Sequence, residues 1–398
     1  MKPKAGTAQG PLSGLRVLDL SRILAGPFCT MRLGDMGADV LKIEQPGSGD
    51  ETRRWGPPFV NGESAYYLSV NRNKKSVTLD FKTREGRSVL RKLIASSDVL
   101  VENFRAGVMK KRGFDYGRVR KLNPRIIYCS ITGYGQHSAK SHAPSYDLLI
   151  QGESGLMDLT GFPGSPPTKV GISLCDINAG TMAFAAIALA LFRRETTGRG
   201  EYIDISLLDA TLSLLAFQSQ IALSSSMPVT RLGNRHPTLA PYQPFRTRDG
   251  HLNIAVVNDA VWRGFCRAIR RQALADDPQF STNSDRVKNR RRLDAILEPV
   301  IRTKTSASWE RILSRADVPV GRIRTVREAL RAEPGMIAML HHPVCGPVPS
   351  VKFPVLFAGG GRAPTLAPPL LGGDTVDTLL GLGYSREEIR RFQSRKII

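Results

Sequence analysis

The sequence has no cysteine pair. Its five cysteines, Cys29, Cys129, Cys175, Cys266 and Cys345, are scattered along 398 residues, with no CxxC and no histidine pair nearby. That argues against a zinc site and a disulfide framework, and it fits a reducing cytoplasm. The first residues, MKPKAGTAQGPLSG, lack the apolar core of a secretory signal, so none is expected. No apolar run reaches the ~20 residues that cross a bilayer. The longest, Ile177 to Phe192, is interrupted by Asn178 and Gly180, and a buried core helix with no membrane role is expected. Phosphate and nucleophile signatures are missing as well. No GxGxxG follows the first strand-like segment, which argues against a nicotinamide dehydrogenase, and no GxSxG marks a serine hydrolase. Gly359 to Arg362, GGGR, has no following Lys-Ser/Thr and reads as a flexible loop rather than a P-loop. The six histidines give no useful pair, since His341 and His342 are adjacent and cannot easily face one site.

Charge of one sign is not lacking. The formal net charge is +22, which raises nucleic acid, a membrane surface or a polyanionic ligand as partners. The basic residues are spread along the chain and mixed with acids. Only Arg286 to Arg292 is dense, and it has no interleaved aromatics for stacking on bases. The expectation is a generally basic surface, part of it serving an anionic cofactor, and no nucleic-acid partner; a basic nucleic-acid-binding module is kept as the rival outside the enzymes.

What is present is alternation. RVLDL, ADVLKIE, SVTLDF, DVLVENF and RIIYCSITGYG read as strands, separated by helical patterns. One helix begins near Pro27 and stops at Gly37. Another, TREGRSVLRKLIASS, puts Val89, Leu90, Leu93 and Ile94 on one face. Such alternation predicts an α/β protein with a doubly wound parallel sheet, whose ligands bind beyond the carboxyl ends of its strands. After LDATLSLLAFQSQIAL the pattern changes. Residues 224–244 read as a linker or ordered loop, GHLNIAVV opens a smaller α+β unit, and 343–373 reads as extended chain over the surface.

One carboxylate stands out. Asp176 sits at the mouth of the long apolar run, after GSPPTKVGISL, which reads as a Pro/Gly-rich approach and a short apolar strand. A helix start favours an aspartate as a cap. Apolar surroundings that strip water from an ionised carboxylate also suit a nucleophile. Sequence alone leaves both readings open. Asn71 to Ser76, NRNKKS, offers cations either to phosphates or to solvent, and Gly133 to Gly135, GYG, is either a close approach to a ligand or an ordinary turn.

Taken in order, GLRVLDLSRILAGP, LGDMGADVLKIEQPGSGD, NRNKKSVTLDFK, DVLVENFRAG, SITGYG, GISLCDINAG, RRETTGRGEYIDISLLDA and PLLGGDT resemble the class III coenzyme A transferase family of CaiB/BaiF type. Among its branches the chain looks closest to the succinyl-CoA–dicarboxylate transferases, including the succinate–hydroxymethylglutarate type. The resemblance implies transfer of CoA from an acyl-CoA donor such as succinyl-CoA to a carboxylic, in particular dicarboxylic, acid through an aspartyl-CoA thioester, with Asp176 as the catalytic residue. It implies a Rossmann-like domain built from both chain ends (residues 1–224 and 326–398), a smaller domain at 225–325, and an interlocked homodimer. It places Arg22, Ile23, Leu24, Leu79, Lys82, Asn103, Phe104, Lys111 and Tyr134 at the CoA site, with coenzyme A thioester as co-substrate, no tightly bound cofactor and no metal. Three departures matter. The chain has GNRHPTLAPYQPF where the formyl-CoA–oxalate branch has a glycine-rich loop. It has Ser145-Tyr146-Asp147 where the 2-methylacyl-CoA racemases, the rival within the fold, carry a histidine before the aspartate. It also has Asp374 in place of the usual late histidine. Arg53, Arg54 and Arg235 are candidates to clamp an acceptor's second carboxylate.

Overall fold

The computed structural model describes residues 10–355, 357 and 366–398, so the GGGR segment lies outside the described residues. Six strands form one sheet: β1 (Arg16–Asp19), β2 (Asp39–Glu44), β3 (Lys74–Thr78), β4 (Val99–Glu102), β5 (Ile127–Thr132) and β6 (Glu201–Ser206). Every neighbouring pair is parallel, and the order across the sheet is β3-β2-β1-β4-β5-β6. The order reverses between β1 and β4, which leaves a crevice at the carboxyl ends of those two strands.

Period-two side-chain alternation builds a core on each face. Val17, Val99, Val101, Ile127 and Cys129 point to one side. There they meet α1 (Ala25–Asp35) and α4 (Leu174–Thr197). Leu18, Leu100 and Tyr128 point to the other, against α2 (Arg84–Ala95) and the carboxyl-terminal helices α10 (Thr375–Gly381) and α11 (Arg386–Ser394). The predicted face of α2 is fully buried at Val89, Leu90, Leu93 and Ile94, and Thr83 caps the helix by accepting the Gly86 N–H.

The chain forms two compact units, 1–156 with 169–225 and 335–398, and 157–168 with 226–334. The second therefore includes a short piece, 157–168, that the sequence reading leaves in the first part, and it runs to 334 rather than 325. Its antiparallel sheet of β7 (Tyr242–Arg246), β8 (His251–Ala255) and β9 (Val320–Arg322) packs with α7 (Asp259–Ala268), α8 (Arg290–Ile301) and α9 (Ser306–Ser314) around Trp262, Phe265 and Trp309. The densest basic segment starts inside this core. Arg286 is fully buried, donates to the carbonyls of Ala240, Phe280 and Ser281 and pairs with Asp259.

Several local expectations change. NRNKKS is neither a phosphate loop nor a solvated one. Arg72 forks onto Asp35 at 2.6 and 2.8 Å, Lys74 is buried against Asp19 at 3.1 Å, and only Lys75 reaches the surface, paired with Asp39. No strand precedes Asp176, which is reached by irregular chain. LDATLSLLAFQSQIAL is two helices, α5 (Leu207–Leu214) and α6 (Ala216–Ser224), bent by 82°. The late segment begins as a hairpin, β10 (Ile337–His342) and β11 (Gly346–Val351), not as extended surface chain. Asp374 has a clear job: its carboxylate accepts the Ser76 N–H at 2.9 Å, and its own N–H donates to the Ser76 carbonyl. The chain end is thereby stitched to β3, the outer strand of the sheet.

Helix α4 is longer than the apolar run suggests. Its 24 residues have the length and composition of a membrane span. One face, with Ala179, Gly180, Ala183 and Ile187, is buried, while Leu189 and Phe192 on the opposite side are 70% and 75% exposed in the single chain. A helix buried all round is thus not what forms. The buried face is made of small residues because α1 crosses close: a Cβ on Gly180 would lie 2.5 Å from the Ala25 carbonyl oxygen and 3.3 Å from Phe28. Gly180→Ala is therefore expected to push the helices apart and to lower stability by about 1–3 kcal/mol, read as a lower midpoint in chemical denaturation. An unchanged midpoint would show that this crossing is not tight.

Candidate active site

The crevice is walled by the three loops that leave β1, β4 and β5, and the mouth of α4 opens into it. The first loop holds Arg22, Ile23 and Leu24. Ile23 has φ +69°, a conformation that β-branched residues rarely adopt. Its N–H donates to the Asp50 carboxylate at 3.2–3.3 Å. The Arg22 N–H and carbonyl are both held by the Asn103 side chain, at 2.8 and 2.7 Å. Two separate carboxamide and carboxylate groups thus over-determine the strained turn, which is how such strain persists. Burial works against the charge on Asp50, yet Lys42 at 2.9 Å and the Thr52 N–H together hold its carboxyl down at about 2. It stays an acceptor throughout the neutral range.

These loops enclose a cavity of about 500 Å³. Asp176 lies on its wall, with Arg22 to Ala25, Asn103 to Arg105, Thr132-Gly133 and Ser145-Tyr146. Asp176 occupies the first turn of α4 but does not cap it. That position is taken by Asp147, on α3 (Asp147–Glu153), whose carboxylate accepts the N–H groups of Cys175 at 2.8 Å and Asp176 at 3.4 Å. Among the described residues the Asp176 side chain takes no hydrogen bond. Burial, then the negative charge of Asp147, pushes its carboxyl up to about 7. Tyr66, from the helix Ala65–Val70, feels the same charge: burial and then Asp176 and Asp147 raise its phenol to about 12, so it stays a neutral donor.

A second cavity, of about 320 Å³, shares Arg22, Glu51, Phe104 and Val108 with the first. Leu79 and Lys82 line it, together with Arg54 and Arg112. The structure therefore gathers Asp176, Arg22, Ile23, Leu24, Asn103 and Phe104 around one cavity and Leu79 and Lys82 around its neighbour. Lys111 lines neither; it lies on the exposed side of the short helix Val108–Arg112, and Arg112 faces the second cavity instead. Tyr134 is also outside the lining. Its hydroxyl donates to Glu153 at 3.0 Å, while its neighbours Thr132 and Gly133 face the cavity. Of the candidate carboxylate clamps, Arg53 is consumed by a bidentate pair with Glu44, Arg235 pairs with Asp294 in the second unit, and Arg54 borders the second cavity.

Three participants escape the sequence reading. Asp147 figures there only as the companion of a missing histidine. Tyr66 carries no motif. Thr132 is 7% exposed and lines the cavity, while its hydroxyl is shielded from solvent and has no partner among the described residues. Only its place at the end of a predicted strand could have flagged it. No cluster of three or more metal-ligating side chains occurs among the described residues.

The profile of CoA-transferase family III matches residues 12–375. The chain is 40% identical over 370 residues to succinyl-CoA:glutarate CoA-transferase of Mus musculus, spanning 92% of this chain and 85% of that one. It is 43% identical over 329 residues to acetyl-CoA:oxalate CoA-transferase of Acetobacter aceti, spanning 82% and 83%. The crystal structure of a CAIB/BAIF family protein from Brucella suis superposes with a TM-score of 0.84 at 39% identity, covering 94% of this chain and all of that one. With the sheet order, the crevice and Asp176 already placed, these likenesses settle the identity: the chain is a CoA-transferase and belongs to CoA-transferase family III.

Proposed function

We propose that the enzyme moves CoA from succinyl-CoA or a similar acyl-CoA to a dicarboxylic acid, with Asp176 as the covalent carrier. The observation that carries this is an aspartate carboxylate with no hydrogen-bond partner among the described residues, facing a cavity of about 500 Å³ at the reversal point of the sheet. The relatives named for glutarate and oxalate act on dicarboxylic acids, which supports that acceptor class. Among the described residues no histidine lines the Asp176 cavity, which weighs against racemisation.

The chemistry needs only carboxylates and thiolates. An Asp176 oxygen attacks the donor thioester carbonyl, the C–S bond breaks, and CoA thiolate leaves behind an aspartyl–acyl anhydride. The thiolate then attacks the Asp176 carbonyl, expelling the donor acid and forming an aspartyl-CoA thioester. The acceptor carboxylate attacks that thioester to give a second anhydride, and the returning thiolate takes the acceptor acyl group and frees Asp176. Each tetrahedral oxyanion needs a donor from the cavity wall. The second cavity, with Arg54, Lys82 and Arg112, suits the phosphates of CoA, and the shared wall of Arg22 and Phe104 lets the pantetheine arm pass from one cavity to the other.

The exposed apolar face of α4, with Leu189 and Phe192, and Phe217 and Leu223 of α6 fit a second copy of the chain better than water, which supports the interlocked homodimer. Five free, buried thiols suit a reducing cytoplasm.

Two outcomes test the reading. Incubation with succinyl-CoA and hydroxylamine is expected to inactivate the enzyme and to leave a hydroxamate on the peptide containing Asp176. Asp176→Asn is expected to lose transfer by at least about 10³-fold while remaining folded. Unmodified peptide from an active enzyme would overturn the assignment. The pH dependence gives the second. Succinate release from succinyl-CoA in a single turnover should rise with pH and level off above about 7, as Asp176 loses its proton. Because the native carboxyl keeps a proton that the unfolded chain releases from 3.8 upward, stability falls as pH rises between 3.8 and about 7. Asp176→Asn removes that part of the slope; an identical slope in both proteins would contradict the raised value.

A further inference from the structure

The cap of α4 comes from outside the helix, and this bears directly on the nucleophile. A helix start leaves its first N–H groups without partners, and an aspartate in the first turn can fold back to take them. Had Asp176 done so, its carboxylate would be hydrogen-bonded, lowered in basicity and turned from the cavity. Asp147 prevents this. Its Oδ1 accepts the Cys175 and Asp176 N–H groups, and its Oδ2 accepts the Gln151 side-chain amide at 2.6 Å. The Gln151 amide in turn reaches the Ile172 carbonyl at 3.2 Å and accepts the Val170 N–H at 2.8 Å, pinning the irregular chain that leads into α4.

We propose that Asp147 is a positioning residue for transfer, which by occupying the mouth of α4 with a charged carboxylate keeps the Asp176 carboxylate unbonded, facing the cavity and strongly nucleophilic. This rests on Asp176 being the carrier. Two effects act together. The helix-mouth donors are spent on Asp147, so none quenches Asp176. The two like charges also repel, and acylation relieves the repulsion: when the Asp176 oxygen forms its bond to the acyl carbon and the C–S bond breaks, the negative charge leaves with the thiolate and Asp176 becomes neutral. The half-buried pair thus favours the anhydride over the free carboxylate. Asp176's raised proton affinity, caused first by burial and then by Asp147, agrees.

The other charged or titratable groups around Asp176 cannot play this part. Arg22 and Glu51 are tied to each other at 2.7 Å. Arg105 borders the cavity from the β4 loop, and Tyr146 from the loop before α3. Tyr66 and Cys175 are neutral in the working range, Tyr66 being raised to about 12 and Cys175 to about 11.

Asp147→Asn keeps an oxygen for the two N–H groups and removes the charge, losing with it the bond from the Gln151 amide. In the purified full-length enzyme, the acid limb of single-turnover succinate release from succinyl-CoA should move down by on the order of one pH unit, with a plateau rate about tenfold lower. Asp147→Ser, a short neutral cap, should shift the limb the same way. Unfolding midpoints measured alongside show how much of any loss is structural. A limb unmoved in both variants, with only the midpoint or rate reduced, reduces Asp147 to a helix cap and overturns the proposal. If the wild-type enzyme itself yields no hydroxamate at Asp176, the carrier assignment fails instead.

Discussion

The crevice depends on charges placed where a sheet normally keeps hydrocarbon. Lys74 and Asp19, and Lys42 and Asp50, are ion pairs whose side chains are wholly shielded from water. Lys42 also donates to the Ser21 carbonyl and Lys74 to the Pro27 carbonyl. The first pair thus ties β3 to the end of β1 and to the start of α1, and the second ties β2 to the loop that follows β1. Buried pairs are weak sources of net stability, because the desolvation cost offsets the attraction, but breaking one is severe. Here their effect is geometric: they fix the path of Arg22 to Leu24, including the strained Ile23, and so fix one wall of the cavity.

On the opposite wall, two aspartates divide the helix mouth between them. Asp147 meets the needs of the helix, which leaves the Asp176 carboxylate free for the role proposed for it. That division is invisible along the chain, since the two are separated by the length of a loop and an entire short segment of the other unit. The same holds for the interior cations. NRNKKS looks solvated in isolation because its partners, Asp35 and Asp19, lie 37 and 55 positions away.

What was legible followed local physics. The β-branched runs became strands, the 3.6-residue period of α2 gave its buried face, and strand-to-helix alternation gave a doubly wound sheet with its ligand crevice at the strand ends. Asp176 stood out because a lone acid before an apolar run is conspicuous. The rest required contacts across the chain. The outward face of α4 reads like core because composition does not tell which side of an apolar helix meets the chain's own interior. Lys111 and Arg112 are neighbours in a basic run, and only helix phase decides which faces the cavity.

The stitching of Asp374 to Ser76 has a consequence for how the molecule is made. Strand β3 is the sheet's outer edge, and the residues that seal it, from Leu366 to Thr375, lie some 290 positions downstream. A polypeptide emerging from the ribosome must therefore carry an open sheet edge until those residues have been made. The first half of the large unit waits for them to arrive, and during that interval the nascent chain has most to gain from a chaperone.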